Sequence, residues 1–159
     1  MIRNAQLVAS VSSTGMKNMD RWLGDGGMPV IGAIGAAISS YGMDESSVDT
    51  GWSAGAWKPT EMACNPHGIV QAGVYAVLHD ALMNFAINTV LDGRDRTKAT
   101  LEMKTELIRA SRLGEELQLQ GNVVRITKSI AFAESRVLDA EGALVSKSTG
   151  TFMIHRDVA

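Results

Sequence analysis

One carboxylate stands in the middle of the most apolar stretch of the chain. The stretch runs from Ala72 to Leu91, and Asp80 is the only acidic residue within it. A carboxylate that is buried without a partner costs several kcal/mol, because it loses its hydration. Asp80 is therefore either paired with a hydrogen-bond donor or placed where its charge is used in a reaction.

A second candidate feature lies at the start of the same stretch. Gln71-Ala72-Gly73 follows a turn-rich loop over residues 65–68, so a helix is predicted to begin there. The first backbone N–H groups of a helix have no partner within it, and they lie at the positive end of its dipole. Such a position stabilises a developing oxyanion. A carboxylate and an oxyanion site are the two groups that acyl hydrolysis requires.

The spacing of these two features predicts a dimer. Ala72 and Asp80 are separated by about 12 Å along a helix axis. Both groups have to lie within about 3 Å of the same reacting carbonyl region, so a single chain cannot readily supply both. In a two-fold dimer with antiparallel helices side by side, the helix start of one subunit meets the acid of the other, and two equivalent sites result.

Another pattern is interpreted as a chance match. Gly51-Trp-Ser-Ala-Gly55 fits the GxSxG motif of serine hydrolases, but polar residues precede it and Pro59 follows closely. The motif requires a strand, a sharp turn and a helix, and this context is missing. His79 points about 100° away from Asp80 around a helix, so it is predicted to be a packed or interface histidine and not a partner of the acid.

The composition excludes several classes of protein. The chain has 159 residues, of which 45% are hydrophobic and 20% charged, as in a single globular domain. The formal net charge of -2 argues against a nucleic-acid partner. The single cysteine cannot form an internal disulfide and has no metal-ligand spacing around it, so no metal and no cofactor are predicted. Because no segment has the pattern of a signal peptide or a membrane span, we expect a cytoplasmic protein without a membrane partner.

The predicted elements enclose the carboxylate in a sheet. A strand is predicted over 47–58 and a long helix over 71–91, and alternating patterns predict four more strands, at roughly 100–107, 117–127, 129–138 and 143–154. The short connections between the later strands favour antiparallel hairpins. Since the helix is apolar over most of its circumference, a curved sheet must cover it. Helices are also predicted over 5–23 and 32–43.

Several motifs together resemble those of one family. Asn65-x-x-Gly68-x-x-Gln71-Ala72-Gly73, followed by Asp80, is similar to the pattern N-x-x-G-x-x-H-G-G with an acid nine residues after the histidine. This pattern is typical of hotdog-fold acyl-CoA thioesterases of the phenylacetate-pathway and thioesterase-superfamily member 2 type. The later motifs of that family resemble Thr100-Leu-Glu-Met-Lys104, Arg109-Ala-Ser-Arg-Leu-Gly114 and Asp139-Ala-Glu-Gly-Ala-Leu-Val145. The resemblance covers roughly residues 47–154.

The resemblance implies an α+β hotdog fold, in which a curved antiparallel β-sheet wraps a long central helix. The hotdog thioesterase domain would span residues 46–159, with residues 1–45 as an N-terminal helical extension. The resemblance also implies a homodimer paired through edge strands, or a homotetramer built as a dimer of dimers. The implied substrate is an acyl-CoA or an acyl-carrier thioester, which is hydrolysed to a free carboxylic acid.

The resemblance also implies roles for the matching residues. Asp80 would be the general base or nucleophile, and the backbone N–H of Ala72 would polarise the thioester carbonyl. Asn65 would orient the reacting water or the carboxylate, and Thr100 would hold the water. Gln71 stands where the family has histidine, and it can still form hydrogen bonds. Ala72 stands where the family has glycine, so its N–H remains available only if φ is negative there.

The remaining candidate residues would contact the substrate. Asn84 lies one helical turn beyond Asp80, on the same face of the helix. His67 in the loop and Gly73 at the helix start are in a position to touch a ligand. The phosphates of CoA would need surface cations, and the candidates near strand ends are Arg109, Arg112, Arg125 and Lys128.

Two other functions remain open for such a fold, since one fold supports many activities. A non-catalytic acyl-CoA-binding or sensor module is one, and the changes at Gln71 and Ala72 favour it slightly. A hotdog hydratase or dehydratase is the other, and it would need His67 or His79 as its catalytic histidine.

Overall fold

The computed structural model describes residues 28–44 and 46–157. We number the helices and strands of these residues in chain order. They are α1 (Pro29–Ala33), β1 (Ala36–Gly42), β2 (Trp52–Trp57), α2 (Ala72–Thr89), β3 (Arg96–Leu107), β4 (Leu117–Ile126), β5 (Ile130–Asp139) and β6 (Leu144–His155). Short 3-10 turns lie at Val48–Thr50 and Glu61–Ala63.

The six strands form one antiparallel sheet in the order β1-β2-β4-β5-β6-β3. The strands β1 and β3 are therefore its two edges. Every strand contacts α2, so the sheet wraps around the helix. The predicted long helix and the four predicted strands after it are confirmed, with bounds shifted by at most a few residues.

The two faces of the sheet explain why the helix is enclosed. In β4 and β6, buried and exposed positions alternate, which directs every second side chain toward α2. The largest buried side chains include Trp57 and Tyr75, whose rings meet edge to face with centroids 5.4 Å apart. The indole N–H of Trp57 donates to the carbonyl of Ile34 at 2.9 Å, so this polar atom is satisfied inside the core.

Glycine allows the helix to lie close to the sheet. The hydroxyl of Ser53 in β2 donates to the carbonyl oxygen of Leu82 in α2 at 2.7 Å. A Cβ atom added at Gly121 in β4 would lie 2.4 Å from the same carbonyl oxygen. At Gly51 an added Cβ would lie 2.6 Å from the carbonyl oxygen of Ala86. Backbone therefore packs against backbone here, and only glycine fits.

Replacing Gly121 with alanine is expected to lower the free energy of unfolding by about 1–3 kcal/mol, because the helix has to move away from β4. Urea denaturation monitored by circular dichroism measures this change. Gly32→Ala is the matched control, since no atom lies within 4 Å of an added Cβ there and alanine suits a helix. Equal stability of the Gly121→Ala variant and the unmodified protein would contradict the predicted close packing.

The predicted helix over 32–43 is wrong. The chain forms the short helix α1 and then the strand β1, which pairs with β2. Gly35, with φ of 90°, separates the two elements. The small residues of β1 serve close strand pairing, because an added Cβ at Gly55 would lie 2.0 Å from the carbonyl oxygen of Ala37. The first half of the strand predicted over 47–58 is likewise a 3-10 turn, and β2 begins only at Trp52.

The sheet therefore extends into the region that was assigned to an N-terminal helical extension over residues 1–45, since β1 belongs to it. The helix predicted over 5–23 lies outside the described residues.

Candidate active site

The sheet leaves one stripe of α2 incompletely covered. Its residues recur every three or four positions and are exposed or half-buried: Gly73, Ala76, Val77, Asp80 and Asn84. We call this set the open stripe. By contrast, Leu78, Ala81 and Leu82 on the other faces of the helix are fully buried. The open stripe borders the edge strand β3, most of whose residues are exposed.

Asp80 is held by two donors on the open stripe and on β3. The hydroxyl of Thr100 donates to Oδ1 of Asp80 at 2.7 Å. The side-chain amide of Asn84 donates to the same oxygen at 3.2 Å and to the backbone carbonyl of Asp80 at 3.0 Å. Among the described residues, no hydrogen bond reaches Oδ2. The structure thus brings three of the predicted site residues together and leaves one carboxylate oxygen available.

The polar contacts continue along the same side of the helix. The side-chain amide of Asn88 donates to the carbonyl of Asn84 at 2.7 Å and to the hydroxyl of Thr97 at 2.9 Å. Its Oδ1 atom accepts from the backbone N–H of Thr97 at 3.1 Å. The two asparagines and Asp80, each four residues apart, therefore fix β3 against α2. Asn88 was not identified from the sequence, although the four-residue spacing of the three polar side chains was a visible signal.

The start of α2 presents free backbone donors. Gln71 precedes the helix with φ of -67° and ψ of 140°, and its side chain does not cap the helix. Ala72 and Gly73 are exposed, and their N–H groups donate to no acceptor among the described residues. No described residue other than glycine has a positive φ, so Ala72 meets the condition for keeping its donor. An added Cβ at Gly73 would meet no atom within 4 Å, so there is open space beside the helix start.

Asn65 organises the loop before α2. Its Oδ1 atom accepts from the backbone N–H groups of His67 and Ile69, at 3.0 and 3.1 Å. The loop is completed by Gly68, whose φ is 72°. His67 is exposed on this loop. The predicted residues Asn65, His67, Gln71, Ala72 and Gly73 therefore form one group at the helix start.

The two groups of candidate residues remain apart within one chain. The helix start and Asp80 are separated by about 12 Å along the axis of α2. Both lie on parts of the surface that the sheet leaves uncovered. A single chain therefore does not bring the acid and the helix-start donors to one point.

The predicted cations lie at different ends of the molecule. Arg109 follows β3 on the side of the helix start, and its Nη2 atom contacts carboxylate oxygens of both Glu115 and Asp139. The hydrogen bond from Arg109 is the main cause that lowers the pKa of Glu115. Sequence reasoning missed these two carboxylates, which compensate the charge of Arg109. Arg125 and Lys128 are exposed at the opposite end, where β4 turns into β5.

His79 is a packed histidine, as predicted. Its side chain is fully buried, with Nδ1 at 2.7 Å from the hydroxyl of Ser135 and Nε2 at 2.8 Å from that of Ser146. The Ser146 hydroxyl donates to the carbonyl of Glu106 at 2.9 Å, so it must accept from Nε2. The proton of neutral His79 is therefore on Nε2, and Nδ1 accepts from Ser135. Burial lowers the pKa of His79 to about 4.

This buried histidine predicts acid sensitivity. Because the pKa of His79 is about 4 in the folded chain and ordinarily about 6.5, the unfolded chain binds more protons between these values. The stabilisation is complete above pH 6.5 and is lost as the pH falls toward 4. We expect a loss of about 2–3 kcal/mol in the free energy of unfolding between about pH 7.5 and 4.5. Urea denaturation at a series of pH values measures it.

The matched variant for this prediction is His79→Gln, which cannot titrate. This variant should be less stable than the unmodified protein at neutral pH. Between about pH 7.5 and 4.5, however, its free energy of unfolding should fall by about 2–3 kcal/mol less than that of the unmodified protein. Carboxylates such as Glu115 contribute equally to the pH dependence of stability in both proteins. The difference between the two pH profiles is therefore due to His79. Parallel profiles would contradict the assignment.

The GxSxG pattern has no nucleophile geometry. Ser53 lies within β2, is 1% exposed, and uses its hydroxyl to bond the helix. Its neighbours Gly51 and Gly55 are required for close packing of backbone. The position of Ser53 thus agrees with the interpretation of the GxSxG pattern as a chance match.

Two features are absent from residues 28–44 and 46–157. No group of three or more His, Cys, Asp or Glu side chains in these ranges is arranged to hold a metal ion. No helix in the same ranges combines the length and the hydropathy needed to cross a membrane.

The sequence is similar to proteins of known family. The model of the thioesterase superfamily matches residues 67–146. A candidate esterase of Thermoplasma acidophilum is 32% identical over 88 residues, which are 55% of this chain and 64% of that protein. The chain thus matches slightly less than two thirds of the length of this relative. Residues 67–146 contain α2, β3, β4 and β5, and they include both groups of candidate residues except Asn65.

Solved structures share the fold at low sequence identity. A thioesterase of Haemophilus influenzae superposes with a TM-score of 0.72 at 16% identity, over 89% of this chain and 90% of its own. Zebrafish thioesterase superfamily member 2 gives 0.68 at 18% identity, over 87% and 94% of the two chains. A candidate thioesterase of Ralstonia eutropha, related to phenylacetic acid degradation, gives 0.69 at 21% identity, over 85% and 98%. These structures confirm the predicted α+β hotdog fold, and the family model confirms the resemblance to thioesterases.

Proposed function

Because the chain belongs to the thioesterase superfamily, we propose that it hydrolyses an acyl-CoA thioester to a free carboxylic acid and CoA. The observation that carries the proposal is the position of Asp80. Its carboxylate is half-buried on the open stripe, is oriented by Thr100 and Asn84, and keeps Oδ2 available. A carboxylate fixed in this way at an uncovered surface is suited to act on a water molecule or directly on a carbonyl carbon.

The site is completed by a second copy of the chain. In a two-fold dimer with antiparallel α2 helices, Ala72 of one subunit faces Asp80 of the other when the axis passes near Ala76, midway between them. Gly73 and Ala76 are small, which permits close approach of the two helices. The edge strand β3 adjoins the open stripe, and the backbone groups on its outer side pair with no described strand, so it supports pairing between subunits. The protein would thus be a homodimer or a dimer of such dimers.

The reaction follows from the two groups. The thioester carbonyl oxygen accepts the N–H of Ala72 at the start of one α2 helix, where the dipole favours negative charge. Asp80 of the other subunit takes a proton from a water molecule, whose oxygen attacks the carbonyl carbon. The oxyanion then collapses, the carbon–sulfur bond breaks and CoA leaves as a thiolate, which takes up a proton. Alternatively, Oδ2 attacks the carbonyl carbon directly, the carbon–sulfur bond breaks and CoA leaves as the thiolate, and water then hydrolyses the mixed anhydride to the free acid and the carboxylate of Asp80.

A thiol-release assay over short, long and aromatic acyl-CoAs tests the proposal. Release of CoA from at least one of them is expected, with no added metal or cofactor. Binding of acyl-CoA in a calorimetric titration without any thiol release would instead indicate a sensor or carrier. Turnover of an enoyl-CoA by water addition would indicate a hydratase, although the buried ring of His79, with both nitrogens bonded, argues against its use as a catalytic histidine.

A further inference from the structure

Uncompensated positive charge is concentrated where β3 begins. Arg94, Arg96 and Lys98 are all exposed. Arg94 has an 85% exposed side chain and approaches Asp157 only to 3.7 Å. Arg96 makes a long hydrogen bond of 3.4 Å to the carbonyl of Arg94. Lys98 has no ion pair with any described residue.

Two more cations join this end from a neighbouring turn. The backbone N–H of Ile154 donates to the carbonyl of Ser129 at 2.8 Å, and Arg96 is paired in register with His155. The turn from β4 to β5 therefore lies beside the start of β3. It brings the exposed Arg125 and Lys128 to the same end of the molecule. We call Arg94, Arg96, Lys98, Arg125 and Lys128 the basic end.

The acidic groups at this end do not cancel the charge. Asp95 is engaged by Arg156 at 2.8 Å and by the backbone N–H of Asp157 at 2.9 Å. The hydrogen bond from Arg156 is the main cause that lowers the pKa of Asp95. Asp157 faces Arg94, Asp49 accepts the backbone N–H of Ile126 at 2.7 Å beside Arg125, and Asp92 is exposed. The cations Arg96, Lys98, Arg125 and Lys128 thus stay without a carboxylate partner among the described residues.

The basic end lies at a distance from Asp80 that an extended substrate can span. Thr100 contacts Asp80, and Lys98 and Arg96 precede it on β3 by about 7 and 13 Å. At the other end of β3, the charge of Arg109 is already compensated by Glu115 and Asp139. Arg112 is also exposed at that end, but the larger group of exposed cations, the basic end, lies on the Lys98 side of the carboxylate, within the reach of an extended substrate arm.

We propose that the basic end, with Arg96 and Lys98 nearest the carboxylate, binds the phosphate groups of coenzyme A while its thioester lies at Asp80. This inference rests on the proposed function. Several cations spread over one end suit a handle with several phosphates, whereas a carrier protein presents a single phosphodiester near the thioester. Arg and Lys bind phosphate through charge-assisted hydrogen bonds.

The test compares two thioesters of the same acyl group, one on coenzyme A and one on N-acetylcysteamine, which lacks phosphates. The readout is the ratio of their kcat/KM values. In an Arg96→Gln/Lys98→Gln variant the ratio should fall about 5- to 20-fold, since each exposed ion pair contributes up to about fivefold in binding. Raising the ionic strength to about 0.5 M should lower the ratio of the unmodified protein as well. A change in dimerisation lowers both rates and does not by itself change the ratio.

A second variant and a control make the test specific. The Arg94→Gln/Arg125→Gln variant should also lower the ratio of the two kcat/KM values. Of its two positions, Arg94 lies outside any strand. Lys147→Gln removes one positive charge from β6, where Lys147 is already paired with Glu106 at 3.6 Å, and leaves the ratio unchanged. An unaltered ratio in both double variants, or a substrate preference for an acyl-carrier protein over CoA, overturns the inference while hydrolysis stands. Absence of thiol release from every thioester by the unmodified protein overturns the proposed function itself.

Discussion

Replacing Asp80 with asparagine is expected to lower kcat for acyl-CoA hydrolysis by about 10²- to 10⁴-fold, the range that a positioned general base contributes. Asparagine has nearly the same shape, so it can still accept the hydrogen bond of Thr100 that now reaches Oδ1. It cannot take a proton from water, and its amide does not attack a thioester. Thiol release under single-turnover and steady-state conditions measures the loss.

The control for this variant is Asp92→Asn, which makes the same chemical change at an exposed position just beyond α2. It should retain full turnover. Both variants should keep the oligomeric state of the unmodified protein in sedimentation, because a part-exposed carboxylate contributes little to the core. Turnover of Asp80→Asn within a few-fold of the unmodified protein would remove Asp80 from the mechanism.

The central helix and the last four strands were predictable because their signals are long. Eighteen residues of mostly apolar sequence form α2, and alternating patterns of ten or more residues form β3 to β6. The strand β1 was not predictable in the same way. Its seven residues are mainly small, and small residues between glycines suit a helix surface as well as a close strand pair. Only the pairing with Gly55, distant in sequence, decides between the two.

The site shows the same division between local and distant contacts. The pairing of Asp80 with Asn84 follows from the four-residue spacing on a helix. The contact of Thr100 with Asp80 depends on how the edge strand lies against the helix, which local patterns do not encode. The resemblance to a family placed Thr100 in the site, in the role of holding the water, and did not predict this contact. The carboxylate partners of Arg109 include one 30 residues away, so its compensation could not be foreseen.

Replacing Ala72 with proline is expected to lower kcat by about 10²- to 10³-fold, the cost of removing one oxyanion-hole donor. The substitution deletes the backbone N–H and little else. Proline is favoured at the first position of a helix, and the preceding Gln71 has φ of -67° and ψ of 140°, which suit a residue before proline. The N–H of Ala72 bonds no described acceptor, so no structural hydrogen bond is lost. Thermal unfolding should change little, and Ala72→Ser, which keeps the N–H, should retain most of the turnover.

Mixing the Ala72→Pro and Asp80→Asn proteins tests whether the site is shared between subunits. In a mixed dimer, the intact helix start of the Asp80→Asn subunit faces the intact carboxylate of the Ala72→Pro subunit, so one of the two sites is complete. With random exchange half of the dimers are mixed, and turnover should recover to about a quarter of that of the unmodified protein. If acid and donor came from the same chain, every site would carry one defect and mixing would restore nothing. Such a result would exclude the antiparallel pairing of the two α2 helices at the site.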